Sequence, residues 1–142
     1  MKIAGNATQH KCQTGIIGNC SYIAHIDKMA SVVWLCWPHF DSSFVFGDPI
    51  DDEKGGTFSI TPSHLIESDQ YYLTDTNTLC TEFLCTDGRF GIIDFAPRFF
   101  QNDRSFMPQM LFRKEKKTFI HTWVSKKIQC FRIGKNVFLK AG

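Results

Sequence analysis

Short apolar runs broken by turn residues extend along this chain, and no window keeps a 3.6-residue apolar period over twelve positions. That pattern predicts strands rather than helices. Residues 21–26 and 32–37 read as two strands joined by Asp27-Lys28-Met29-Ala30-Ser31, a connection of hairpin length. Pro38 has no N–H to give to a ladder, so residues 39–47 read as a long loop bearing aromatic side chains. Strict alternation in Thr57-Phe58-Ser59-Ile60-Thr61 predicts a strand with Phe58 and Ile60 on one face, closed by Pro62. Residues 71–73, 79–85 and 89–95 continue the pattern. Thr86-Asp87-Gly88 between the last two predicts a hairpin, because a type I′ turn needs positive φ at both central positions. Residues 64–68 hold at most one helical turn, and further strands are expected at 110–112, 118–124, 128–133 and 137–139. Residues 1–14 are polar without period and read as a flexible lead-in.

Composition strengthens the β reading. Ile (13), Val (5), Thr (11) and 20 aromatics stand against Ala (6) and Leu (7), a mix that suits a pleated, half-buried surface. With 142 residues, 43% hydrophobic and 21% charged, the chain fits one globular domain and not a disordered or low-complexity class. Its longest apolar run, residues 32–37, is far too short to span a bilayer as a helix. No apolar stretch follows Lys2 as in a secretory leader, so a cytoplasmic address is expected, with no membrane partner and with all six cysteines as thiols.

Charge divides the chain. Residues 1–112 carry 7 Lys/Arg against 13 Asp/Glu, a balance of −6, while residues 113–142 carry 9 against 1, a balance of +8. A basic stretch of this kind is compatible with a nucleic-acid patch built from Lys114, Lys116, Lys117, Lys126, Lys127 and Arg132. It is equally compatible with a segment foreign to the domain before it, such as a shifted reading frame.

Motifs for metal, phosphate or nucleophilic chemistry are missing. Cys12, Cys20, Cys36, Cys80, Cys85 and Cys130 form no C-x-x-C pair, and His10, His25, His39, His64 and His121 form no H-x-x-x-H. There is no G-x-S-x-G, P-loop or G-x-G-x-x-G. The expectation is therefore no metal, no cofactor and no catalytic residue. Asp48, Asp51, Asp52 and Glu53 read better as a solvated turn than as a pair of glycosidase acids. Trp34 reads as core inside its strand, whereas Trp37, Phe40, Phe44 and Phe46 either stack on a sugar or plug the end of a sandwich.

The runs Gly15-Ile16-Ile17-Gly18-Asn19-Cys20 and Trp34-Leu35-Cys36-Trp37-Pro38-His39-Phe40-Asp41-Ser42-Ser43, with Phe46, form the start of an ordered series. It continues through Asp52-Glu53-Lys54-Gly55-Gly56, Tyr72-Leu73, Thr76-Asn77-Thr78-Leu79, Asp87-Gly88 and Ile93-Asp94-Phe95-Ala96-Pro97. This series resembles the N-terminal, trehalase-like domain of glycoside hydrolase family 15 proteins, the glucoamylase and trehalase group. The resemblance covers residues 15–114 and implies an antiparallel β-sandwich that precedes a catalytic α/α toroid, where two glutamates perform inverting hydrolysis of α-glucosidic bonds. Of Glu53, Glu67, Glu82 and Glu115, none matches those catalytic positions, so the toroid is the implied partner and is absent from this chain.

The resemblance also implies that the loop carrying Trp37, His39, Phe40, Asp41 and Phe44 lies near the toroid contact or the mouth of its site. His39 stands where relatives carry Arg, which removes a bidentate donor and puts a carboxylate or substrate contact there in doubt. From residue 115 the family pattern stops, close to the change in charge sign, and this favours a truncated or frame-shifted member. The rival readings are a stand-alone carbohydrate- or partner-binding module using Trp37, Phe40 and Phe44, and the basic nucleic-acid binder.

Overall fold

A computed structural model describes residues 13–51, 53–60 and 62–118. The expected strands at 118–124, 128–133 and 137–139 lie outside the described residues apart from Thr118. All regular structure among the described residues is β. The strands are β1 (Thr14–Gly18), β2 (Ile23–Asp27), β3 (Val32–Cys36), β4 (Phe44–Gly47), β5 (Leu65–Tyr72), β6 (Leu79–Cys85), β7 (Gly88–Phe95), β8 (Phe99–Gln101), β9 (Arg104–Phe106) and β10 (Phe112–Thr118).

They form two four-stranded antiparallel sheets, ordered β1-β2-β3-β4 and β10-β7-β6-β5, plus the two-stranded ribbon β8-β9. The residue mix predicts β structure and the resemblance implies an antiparallel β-sandwich, and the observed all-β, antiparallel architecture agrees with both. Alternation explains most of the pairing: in β2, Ala24 and Ile26 are fully buried, and in β6 and β7 so are Phe83 and Ile92. One-sided burial of this kind fixes register, because a one-residue slip would turn the apolar set outward.

The main core cluster joins Ile17, Tyr22, Ala24, Ile26, Val32, Leu35 and Phe46 of the first sheet to Leu79 of the second. A Cβ at Gly15 would stand 2.5 Å from Leu79 Cδ2, so any larger residue there would push the Leu79 side chain out of its place between the sheets. A smaller cluster, Ala30 with Phe83, Phe90 and Ile92, fills the other end, and there the rings of Phe83 and Phe90 stack 4.8 Å apart.

Several local expectations are corrected. Of the strand expected at 57–61, Thr61 lies outside the described residues and residues 57–60 do not form one: Phe58 makes a single bridge to Val32, with Phe58 N donating to Val32 O at 3.1 Å and Val32 N to Phe58 O at 2.9 Å. Phe58 and Ile60 also part company, one packing on each cluster. The stretch read as a single helical turn, 64–68, belongs to β5, and the loop 39–47 ends in β4. β1 was not anticipated as a strand. The turn between β6 and β7 is Thr86-Asp87, since Cys85 pairs with Gly88, and of its neighbours only Gly88 has positive φ, at 141°. The two successive positive φ values of a type I′ turn occur instead at Asn102 (50°) and Asp103 (57°), between β8 and β9.

Edges are managed unequally. Tyr72 of β5 reaches across to β1, its hydroxyl accepting from Ile16 N at 2.7 Å and donating to Ile16 O at 2.8 Å, and Asn77 Nδ2 donates to Gly18 O at 2.7 Å. β10 pairs with β7 from Phe112 to Thr118, so its ladder runs across positions 114 and 115.

Candidate functional site

The five residues singled out by sequence lie on the connection between β3 and β4, and the structure brings them together on one short excursion. Trp37 is half-buried, with its ring 4.9 Å from that of Tyr22, and it packs against the main core. A cis peptide links it to Pro38. His39, Phe40 and Asp41 are exposed, Phe40 to 67%. Phe44 is half exposed and stacks on Trp34 with ring centroids 6.1 Å apart, which leaves Trp34 half-buried rather than in the deep core. The excursion is tied down by its own backbone: Phe40 N donates to Ser21 O at 3.1 Å, Ser42 N to His39 O at 3.1 Å, and Trp37 N to Ser43 O at 3.4 Å. It presents one aromatic face to solvent, an imidazole and a carboxylate.

A second surface was not signalled by any motif. The β8-β9 hairpin exposes Phe99, Phe100 and Phe106, followed by exposed Met107, Met110 and Phe112. Phe99 stacks on Phe106 at 5.4 Å, and Phe95 on Phe112 at 5.1 Å. Beneath it, the fully buried Asn19 donates from Nδ2 to Pro97 O at 3.2 Å and Pro108 O at 2.8 Å, one carbonyl on each foot of the hairpin. The buried Tyr22 hydroxyl donates to Met110 O, and burial holds that phenol well above its ordinary pKa. At the hairpin's base an open depression of about 550 Å³ is lined by Cys20, Asn77, Phe95 and Arg98 among others. Arg98 Nη1 donates to Cys20 Sγ at 3.3 Å and has no carboxylate in ion-pair reach among the described residues.

The strongest buried charge is elsewhere. Arg113 of β10 faces Asp94 of β7 in register and grips it with both prongs, Nε to Oδ1 at 2.7 Å and Nη2 to Oδ2 at 3.1 Å. Its remaining prong donates to Phe58 O at 3.0 Å, and the guanidinium lies 5.0 Å from the Phe58 ring centre. Burial raises the Asp94 carboxyl pKa, with Arg113 pulling against it. This pair joins the second sheet to the segment bridged onto the first, a structural role in keeping with its complete enclosure. Asp94 belonged to a run noted in the sequence, but its partner stands nineteen positions on and only register brings them together.

Carboxylates do not gather into a reaction centre among the described residues. Glu53 lies between β4 and β5, Glu67 on β5, Glu82 on β6 and Glu115 on β10. The Tyr71 hydroxyl donates to Glu82 Oε1 at 2.8 Å, and that bond, followed by burial and nearby negative charge, pushes the phenol up to about 12. Asp51 spends Oδ1 on the backbone N–H groups of Glu53 and Lys54, the solvated turn anticipated for this acidic run. No three His, Cys, Asp or Glu side chains among the described residues are arranged to hold a metal ion. Cys20, Cys36, Cys80 and Cys85 are free thiols. No helix among the described residues is long and apolar enough to cross a membrane.

The fold is a two-sheet, all-β domain. The sequence pattern of the trehalase-like N-terminal domain matches residues 2–111, and this chain belongs to that family. It is 42% identical over 84 residues to Trehalase 1 of Sulfolobus acidocaldarius and 40% identical over 87 residues to a trehalase of Thermoplasma volcanium. Each match takes in 58% of this chain and 14% of the relative, so the chain corresponds to a small part of those proteins. A trehalase of Thermoplasma acidophilum is 47% identical over 53 residues, 36% of this chain and 9% of that one. No solved structure matches it.

Proposed function

We propose that this chain is the non-catalytic sandwich domain of a trehalase-like glycoside hydrolase of the family 15 type, which packs against a catalytic α/α toroid and works in cytoplasmic carbohydrate metabolism. The observation that carries the reading is the family match over residues 2–111, beside an alignment that takes in only 14% of Trehalase 1 of Sulfolobus acidocaldarius. On this reading the Trp37, His39, Phe40, Asp41 and Phe44 excursion lies at the mouth of the partner's site or on the domain contact. The family pattern ends at residue 111 and the charge sign changes beside it, which supports taking the sequence from 115 onward as outside the family pattern, as in a truncated or frame-shifted member, even though residues 115–118 still pair with β7.

The purified chain is expected to release no glucose from trehalose, maltose or starch oligosaccharides. Release that survives repurification and is lost in a triple Asp51→Ala, Asp52→Ala, Glu53→Ala variant overturns the reading. The exposed Phe40 and Phe44 rings favour one rival, a stand-alone carbohydrate-binding module. Retention on immobilised starch, abolished by Phe40→Ser, decides for the rival.

A further inference from the structure

Large apolar side chains left in water are unevenly distributed here. Phe99, Phe100, Phe106, Met107, Met110 and Phe112 are all exposed within a stretch of fourteen residues, Phe100 to 75%. On the ribbon Phe99 and Phe106 stack on one face and Phe100 lies on the other, and so dense a set of exposed apolar side chains on a folded domain marks a place where something else sits. This surface is held rather than loose: Asn19 bonds both feet of the hairpin, Tyr22 bonds Met110 in the segment that follows it, and two ring pairs stack along its length. A fully buried asparagine spent on fixing an exposed hairpin pre-organises it for contact, and pre-organisation lowers the entropic cost of association. Arg98 adds a cation at the hairpin base that, among the described residues, bonds a thiol, a weak acceptor.

We infer that the β8-β9 hairpin, with Arg98 at its base, is the surface on which this domain docks the larger remaining part of a trehalase-like polypeptide, through an apolar patch of the partner that carries a carboxylate opposite Arg98. The inference rests on the proposed function and moves the docking contact from the β3-β4 excursion to the other aromatic surface. Three observations point to this occupant. The matched relatives extend well beyond the matched part, which is 14% of Trehalase 1. The surface is rigidly built, as an intramolecular contact would be. Its charge, Arg98 with Arg104 on β9 against Asp103 in the turn, is a balance of +1 on residues 1–112, whose overall balance is −6.

The test co-expresses the full 142-residue chain with Trehalase 1 of Sulfolobus acidocaldarius lacking its 84 matched residues, and measures affinity and hydroxyl-radical labelling of both. A fused form, with this chain in place of the matched segment, gives the same labelling readout where the trimmed enzyme does not fold alone. Protection of Phe100, Phe106, Met107 and Met110, with affinity falling at least tenfold in the double variant Phe100→Ser, Phe106→Ser and with weaker salt dependence in Arg98→Ala, is the expected result. Protection at Phe40 and Phe44 with the hairpin still labelled overturns the inference and leaves the proposed function standing. Absence of binding in trans together with an unprotected hairpin in the fused form overturns both. Hairpin protection in the chain alone that grows with its concentration assigns the surface to a second copy and overturns the inference.

Discussion

Two hairpins in this domain are built in opposite ways. β6-β7 is long and central, its strands flanked on both sides, with Phe83 and Ile92 fully buried and Phe90 nearly so. β8-β9 has three residues in each strand, all six exposed, and closes with the more ideal turn of the two. The first holds its shape through the side chains it buries. The second is held from below by Asn19 and Tyr22, and through the stacking of Phe99 on Phe106. A good turn and a short ladder do not stabilise a two-stranded ribbon in water by themselves, so the exposed hairpin depends on the sandwich while the sandwich does not depend on it.

Truncating the buried hairpin should be far more damaging than truncating the exposed one. Phe83→Ala is expected to lower unfolding stability by about 3–5 kcal/mol, as for large aromatic side chains deleted from cores, measured by urea denaturation. Asp94→Ala should be comparable, about 3–5 kcal/mol, because it strands the Arg113 guanidinium inside the protein. A loss below about 1 kcal/mol for either would contradict the enclosure described for it.

Asn19→Ala sharpens the contrast. It should cost about 1–3 kcal/mol by leaving the Pro97 and Pro108 carbonyls without their donor, and amide exchange in residues 99–106 should accelerate more than in residues 79–95. Uniform acceleration would mean that the two hairpins unfold as one unit. Phe100→Ala should fall within about 0.5 kcal/mol of the parent, the range of surface substitutions.

The smallest expected effect is a pH dependence in β2. Burial lowers the His25 pKa below its ordinary 6.5, so the folded state binds fewer protons than the unfolded state between the two values. Stability is then complete above about pH 6.5 and declines as pH falls through the lowered pKa. A His25→Gln variant should show a flatter melting temperature between pH 7 and 5, with the rest of the carboxylate-driven profile unchanged.

The same contrast explains what the sequence made legible. β2, β3, β6 and β7 each bury an apolar set, and burial is what writes alternation into a strand. β5 lies at a sheet edge with most of its side chains in water, so of Leu65–Tyr72 only the end, Tyr71-Tyr72, reads as strand. β1 hides between two glycines, and β8 and β9 bury nothing. Alternation misled at Phe58 and Ile60, where successive inward side chains serve different clusters. The excursion with Trp37, Phe40 and Phe44 was visible through its aromatics and its proline. The hairpin surface was not, because its supports, Asn19 and Tyr22, lie more than seventy positions away along the chain.

The Tyr72 hydroxyl on Ile16 works as a dummy strand. An open edge offers each outward residue as one donor and one acceptor, an invitation to any extended peptide. A single phenol oxygen answers both at Ile16, and Asn77 answers the carbonyl of Gly18. Losing that one oxygen, as in Tyr72→Phe, turns a closed seam into a template, so the phenol guards the solubility of the sandwich more than its stability.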